Sequence, residues 1–163
     1  MTGVAGQIAA RFAAARTDSG LLKAGLWAEE LAALAYEAAA AGPLTGADRA
    51  RALRFAEHER EHAKVFETLL FALTVPVREH ASPADLHAAL PGLRRASRDD
   101  ALTQLAELEG ATIAAHQTLG RRLRALDALR SVATVMAGSS QHLVVLRDAL
   151  GNEPVTTAFE TGR

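Results

Sequence analysis

Acidic residues recur inside apolar helical faces, at fixed intervals, and this feature constrains the chain more than any other. Placed on a helical wheel at about 100° per residue, Glu59 falls among Phe55, Ala63, Phe66, Leu70 and Leu73, with His62 on the edge of the same face. Glu57, Arg60, Glu61, Lys64 and Glu67 take the opposite side. Glu29 shares its face with Leu22, Leu26, Ala33 and Tyr36. Glu109 shares one with Leu102, Leu105, Ile113 and His116, while Glu107 points outward. His142 lies beside Val135, Ser139, Val145 and Leu146. An unpaired carboxylate buried on such a face costs several kcal/mol, so these positions need partners.

The intervals form an internal repeat. Glu29 precedes Glu59 by 30 residues and His62 by 33; Glu109 precedes Ser139 by 30 and His142 by 33. Tyr36 follows Glu29 by 7, and His116 follows Glu109 by 7. Two helical hairpins therefore superpose without a gap. At roughly 1.5 Å of rise per residue, the acidic and imidazole groups reach matching depths, about mid-way along the helices. Carboxylate and imidazole donors together suit iron, manganese or zinc.

Composition supports an all-α chain. Of 163 residues, 37 are alanine, against 9 valines and 2 isoleucines, and alanine favours helices where β-branched residues favour strands. The pattern predicts long helices over residues 19–41, 45–74, 97–124 and 127–150, and a short amphipathic stretch over 4–15. Gly42-Pro43, Pro76 and Gly151 act as stops. Two short links make two antiparallel hairpins, and the 22 residues from Val75 to Ala96 are long enough to cross a bundle. A short helix is expected after Ser82-Pro83. The domain reading is an N-terminal segment over 1–18, a four-helix bundle over 19–151 and an extended tail over 152–163.

Several functions are excluded or disfavoured. Without cysteine there is no disulfide, thiolate zinc site or thiol nucleophile. A net charge of −1 gives no electrostatic footprint for nucleic acid or an anionic membrane. No apolar run is long enough to span a bilayer, and residues 1–18 lack a secretory h-region, so a cytoplasmic chain is expected. Residues 58–62, His-Glu-Arg-Glu-His, spell the H-E-x-x-H pattern of zinc metalloproteases. That reading is disfavoured because no strand pattern exists to align a peptide substrate, and His58 sits on the flank of the core face. A second apolar stripe, Trp27, Leu31 and Leu34, faces away from Glu29. It is covered either by the N-terminal stretch, through Ile8 and Phe12, or by a second copy of the chain in a homodimer.

The set Glu29 with Tyr36, Glu59-x-x-His62, Glu109 and His142 resembles the ferritin-like (ferritin–rubrerythrin) di-iron carboxylate superfamily. The segments LRFAEHEREHAKVFETLL and LEGATIAAHQTLG carry the resemblance most clearly, and it spans roughly residues 20–151. It implies an antiparallel four-helix bundle with a long crossover between its second and third helices. It also implies terminal ligands Glu29 and Glu109, a bridging Glu59, and imidazole ligands His62 and His142. Tyr36 is the candidate catalytic residue. The implied cofactor is two iron ions, with manganese or zinc as substitutes; the implied partners are oxygen or peroxide and a small-molecule substrate. Ser139 departs from the pattern, standing where a second bridging Glu is expected. Two function classes stay open: a di-iron oxidoreductase (oxidase, peroxidase or oxygenase), and a non-catalytic bundle with a degenerate metal site.

Overall fold

A computed structural model describes residues 3–153. Among these residues there are six α-helices and no strand: α1 (Val4–Ala14), α2 (Asp18–Ala40), α3 (Gly46–Ala72), α4 (Pro83–Ala89), α5 (Arg98–Arg122) and α6 (Leu126–Ala149). A 3-10 turn, Leu93–Arg95, lies between α4 and α5. The all-α expectation holds. From residue 154 onward the expected tail lies outside the described residues.

Local chemistry sets the ends. The Thr17 hydroxyl accepts from the Gly20 amide at the start of α2, and Ser97 accepts from Asp100 at the start of α5. Ser82 and Asp85 form a reciprocal capping box with Pro83 in the first turn of α4. Gly151, at φ 71°, ends α6 in the left-handed conformation that glycine adopts without strain. The sequence pattern would run α3 to Thr74, but the helix stops at Ala72, and Thr74 turns out of it at φ 55°.

The densest packing joins α2 to α3 and α5 to α6, and α2 also lies along α5. The α3–α6 seam is looser. The core is built mainly from Leu and Ala, with Tyr36 and Phe66 as its largest fully buried side chains. Gly42 is required where the 3-10 turn crosses the end of α2: a Cβ there would stand 2.5 Å from the Arg94 carbonyl oxygen.

The stripe through Trp27 is covered by the chain itself. Val4, Ile8 and Phe12 bury α1 against α5 and α2. The Arg11 guanidinium lies 4.0 Å over the Trp27 ring, and α4 packs on α2 from the crossover. Trp27 and Leu31 are buried and Leu34 is half-buried. Arg122 of α5 donates to the carbonyls of Phe12 and Ala15, satisfying the end of α1. None of the described helices is long and apolar enough to cross a membrane.

Candidate metal centre

Four helices deliver the polar groups to one place. α2 brings Glu29 and Tyr36, α3 brings Glu59 and His62, α5 brings Glu109 and His116, and α6 brings Ser139 and His142. Glu29, Glu59 and Glu109 are 0%, 0% and 1% exposed, so three carboxylates lie out of reach of bulk solvent. Glu57, Glu61 and Glu107 are exposed, as their wheel positions predict.

Glu59 occupies the middle. Its Oε2 lies 3.0 Å from His62 Nδ1, and its Oε1 lies 2.7 Å from His142 Nδ1. His62 Nδ1 is also 3.2 Å from Glu29 Oε2, and His142 Nδ1 is 3.1 Å from Glu109 Oε1. Two donor triads result, Glu29/Glu59/His62 and Glu59/Glu109/His142. In each, one ligand atom per residue lies within 4.8 Å of the others. Glu59 belongs to both.

The residues seven positions on pair crosswise. The Tyr36 hydroxyl donates to Glu109 Oε1 at 2.5 Å. His116 Nε2 approaches Glu29 Oε1 at 2.8 Å, an ion-pair contact too poorly aligned for a hydrogen bond. Each +7 side chain thus serves the terminal carboxylate of the other hairpin. Although His116 shares a helical face with Glu109, the structure places its ring beside Glu29. Its ring stacks on Phe66, and Phe66 fits there because Gly25 has no Cβ.

The cluster strongly shifts the titration of its members. Burial alone would raise the Glu29 carboxyl, but His116 and His62 outweigh it and hold the group at about 2. Burial and the Glu29 charge push Glu59 upward. Burial and the Glu59 charge push Glu109 up to about 7, against the contacts from His142 and Tyr36. Burial disfavours charge on the imidazoles, yet Glu29 and Glu59 raise His62 to about 10, and Glu109 and Glu59 raise His142 to about 9. Burial and Glu109 carry Tyr36 well above its usual value. Protons on the imidazoles therefore balance the carboxylates, in positions where a divalent cation would replace them.

The donor set fits such a cation. Glu109 Oε2 is buried without a hydrogen-bond partner, an expensive state that coordination would relieve. Mixed carboxylate and imidazole donors match iron, manganese or zinc.

Two features were not read from the sequence. His58, set aside as a flank residue, has its Nδ1 3.0 Å from His142 Nε2. The signal was its position one turn before His62. Gly138 lies against His62, where a Cβ would stand 2.7 Å from the ring atoms Cε1 and Nε2; a glycine inside a helix beside Ser139 was the cue. The H-E-x-x-H imidazoles do not act as a pair, since His58 turns to His142 and His62 to Glu29 and Glu59. A third donor group, Glu30, Glu67 and His80, lies away from this centre. There Glu30 accepts from the Ala81 amide at 2.7 Å and contacts His80, fastening the crossover to α2.

A family model described as a ferritin-like domain matches residues 17–152. No curated protein and no solved structure matches the chain. The family match covers most of the sequence, and the chain belongs to the ferritin-like domain family.

Proposed function

We propose that this ferritin-like protein holds a dinuclear iron or manganese centre that reacts with oxygen or peroxide. In this reading α2, α3, α5 and α6 form an antiparallel four-helix bundle over residues 19–151, and α1 belongs to a separate N-terminal segment. Glu29 and His62 hold one ion, Glu109 and His142 hold the other, and Glu59 bridges them. The observation that carries the proposal is the position of Glu59, buried between two donor triads with a different oxygen turned to each.

When bound, the metal pair supplies the redox chemistry. The chain's own residues prepare the place. Leu and Ala side chains exclude bulk water, and three buried carboxylates supply negative charge. Tyr36 acts as the catalytic candidate: its hydroxyl fixes Glu109 through Oε1, leaving Oε2 to coordinate, and it keeps a proton at the edge of the site.

Ser139 favours a second reading. It is fully buried, and its hydroxyl lies 3.5 Å from the Val135 carbonyl on its own helix, so it offers no second bridge. A non-catalytic bundle with a degenerate site would follow from that loss. Metal analysis of protein grown in iron-supplemented medium separates the two. About two irons per chain, with an absorbance change on adding oxygen, support the dinuclear centre; no bound metal under any supplementation refutes it.

A further inference from the structure

The proposed ligand set leaves His58 unused, yet His58 is engaged. Its Nδ1 lies 3.0 Å from His142 Nε2, and the two rings lie edge to edge and close to coplanar, with centroids 5.3 Å apart and planes at 17°. Phe55 stacks on His142 at 4.0 Å and 22°. On its other edge, His142 Nδ1 faces Glu59 Oε1 and Glu109 Oε1. Ring position, tilt and both nitrogens of His142 are therefore specified by neighbours.

An imidazole that coordinates through Nδ1 keeps its remaining proton on Nε2. His142 is only 3% exposed, so that N–H needs an acceptor from the protein. His58 Nδ1 is in place to accept it. The opposite arrangement would have His58 donating to a bare Nε2. The His142 proton would then sit on Nδ1, aimed between Glu59 and Glu109, and block coordination there. His62 differs: its side chain is 16% exposed, so water can serve its second nitrogen.

Building on the dinuclear reading, we propose that His58 is a positioning residue. It holds His142 in the Nε2-protonated tautomer, with the Nδ1 lone pair directed into the Glu59/Glu109 triad. Such outer partners orient ligating imidazoles and increase their basicity, and losing one weakens metal binding by about 10–100-fold.

Zinc is the probe, because it is diamagnetic and has no redox chemistry. Three variants separate acceptor from shape. His58→Asn keeps an acceptor near the Nδ1 position, His58→Phe keeps a ring of similar shape without an acceptor, and His58→Ala removes both. Calorimetric titration of the wild type should show two zinc ions per chain. In His58→Phe and His58→Ala one of the two ions should bind about 10–100-fold more weakly, and His58→Asn should recover most of the loss. Nitrogen-15 spectra of the zinc-loaded wild type should show His142 protonated on Nε2, a readout that does not depend on any variant folding. Unchanged affinity for both ions in His58→Phe overturns the role of His58 and leaves the metal centre standing; a His142 proton on Nδ1 in the zinc-loaded protein overturns that role together with His142 as an Nδ1 ligand. A wild type that binds no zinc, iron or manganese overturns the centre itself, and the positioning role with it.

Discussion

Glu59→Gln tests the centre most sharply, because Glu59 alone belongs to both donor triads. Glutamine keeps the shape of the side chain but removes the charge, and its amide nitrogen can no longer face an imidazole as an acceptor. In the wild type, one ion present at about 100 times its Kd stabilises the fold by about 2.7 kcal/mol. For a chain of this size each kcal/mol raises the melting temperature by about 2–4 °C. Manganese should therefore raise the wild-type melting temperature by about 5–11 °C per ion. In Glu59→Gln the rise should nearly vanish, and bound manganese, measured by elemental analysis, should fall from two ions per chain to one weakly held or none. The metal-free variant should still fold, since Glu29 and Glu109 still contact His62 and His142. Its loss should be about 1–3 kcal/mol, the cost of a buried polar group left without its partner. A variant that keeps both ions and the full thermal shift refutes the bridge. So does a stability gain in the metal-free variant when neither protein binds metal, for Glu59 would then be only an unneeded buried charge.

Further outcomes follow from the same geometry. Gly138→Ala would bring a Cβ to 2.7 Å from His62, so the half-buried ring should swing away. One ion should be lost, and the metal-free fold should lose about 1–3 kcal/mol as Glu29 and Glu59 give up their contacts with His62, offset by about 0.5–1 kcal/mol from the helix-favouring alanine, as read by elemental analysis and thermal melting. Tyr36→Phe removes the donor to Glu109 Oε1; it should cost about 1–3 kcal/mol of metal-free stability and push the Glu109 carboxyl above about 7, visible as a higher pH midpoint for manganese binding. His62 and His142, raised to about 10 and about 9, carry protons at neutral pH in the metal-free protein. Metal binding should therefore release more than two protons at pH 7, one from each imidazole and a share from Glu109, measured by calorimetry in buffers of different ionisation enthalpy. The same shifts give a sign for stability. Groups raised in the folded state stabilise it below their unfolded value, 6.5 for histidine, and this is lost as pH climbs through about 9 and about 10. The metal-free melting temperature should fall across that range, and the metal-loaded one should not.

The helices and the central carboxylates were legible because each leaves a local mark. A Glu among Leu and Phe at helical spacing is costly unless partnered, and the 30- and 33-residue intervals tie such positions together. Alanine richness and the stop signals then place the helix ends. What stayed hidden depends on how one helix is rotated against another. The wheel puts His58 on a flank but does not say that α6 brings His142 Nε2 to within 3.0 Å of it. The seven-residue spacing marks Tyr36 and His116 as equivalent, but not that each reaches across to the other hairpin. Gly138 reads as a weak point of α6 until His62 is seen lying against it. The cover over Trp27 comes from α1 and the crossover together, which no single stretch of sequence reveals.

The two hairpins share their spacing and differ in their donors, and the differences make the half-sites unequal. Position +7 is His116 opposite Glu29 and Tyr36 opposite Glu109. An imidazole beside one carboxylate and a phenol beside the other leave Glu29 held at about 2 and Glu109 pushed to about 7. At neutral pH Glu29 is fully ionised and Glu109 is often protonated, while His62 and His142 both carry protons that an ion must displace. Glu59 cannot even out this difference, because Ser139 removes the second bridge that would tie the ions symmetrically. The Glu29/His62 side should therefore load with the release of about one proton, and the Glu109/His142 side with the release of up to two, so the affinity of the second side should fall more steeply as pH drops through about 7. Manganese titrations at pH 6.5 and pH 8 should show the Glu109/His142 step weakening more steeply towards acid than the Glu29/His62 step. Two equal steps at both pH values would show that the shared spacing, rather than the divergent +7 residues, governs how the site loads.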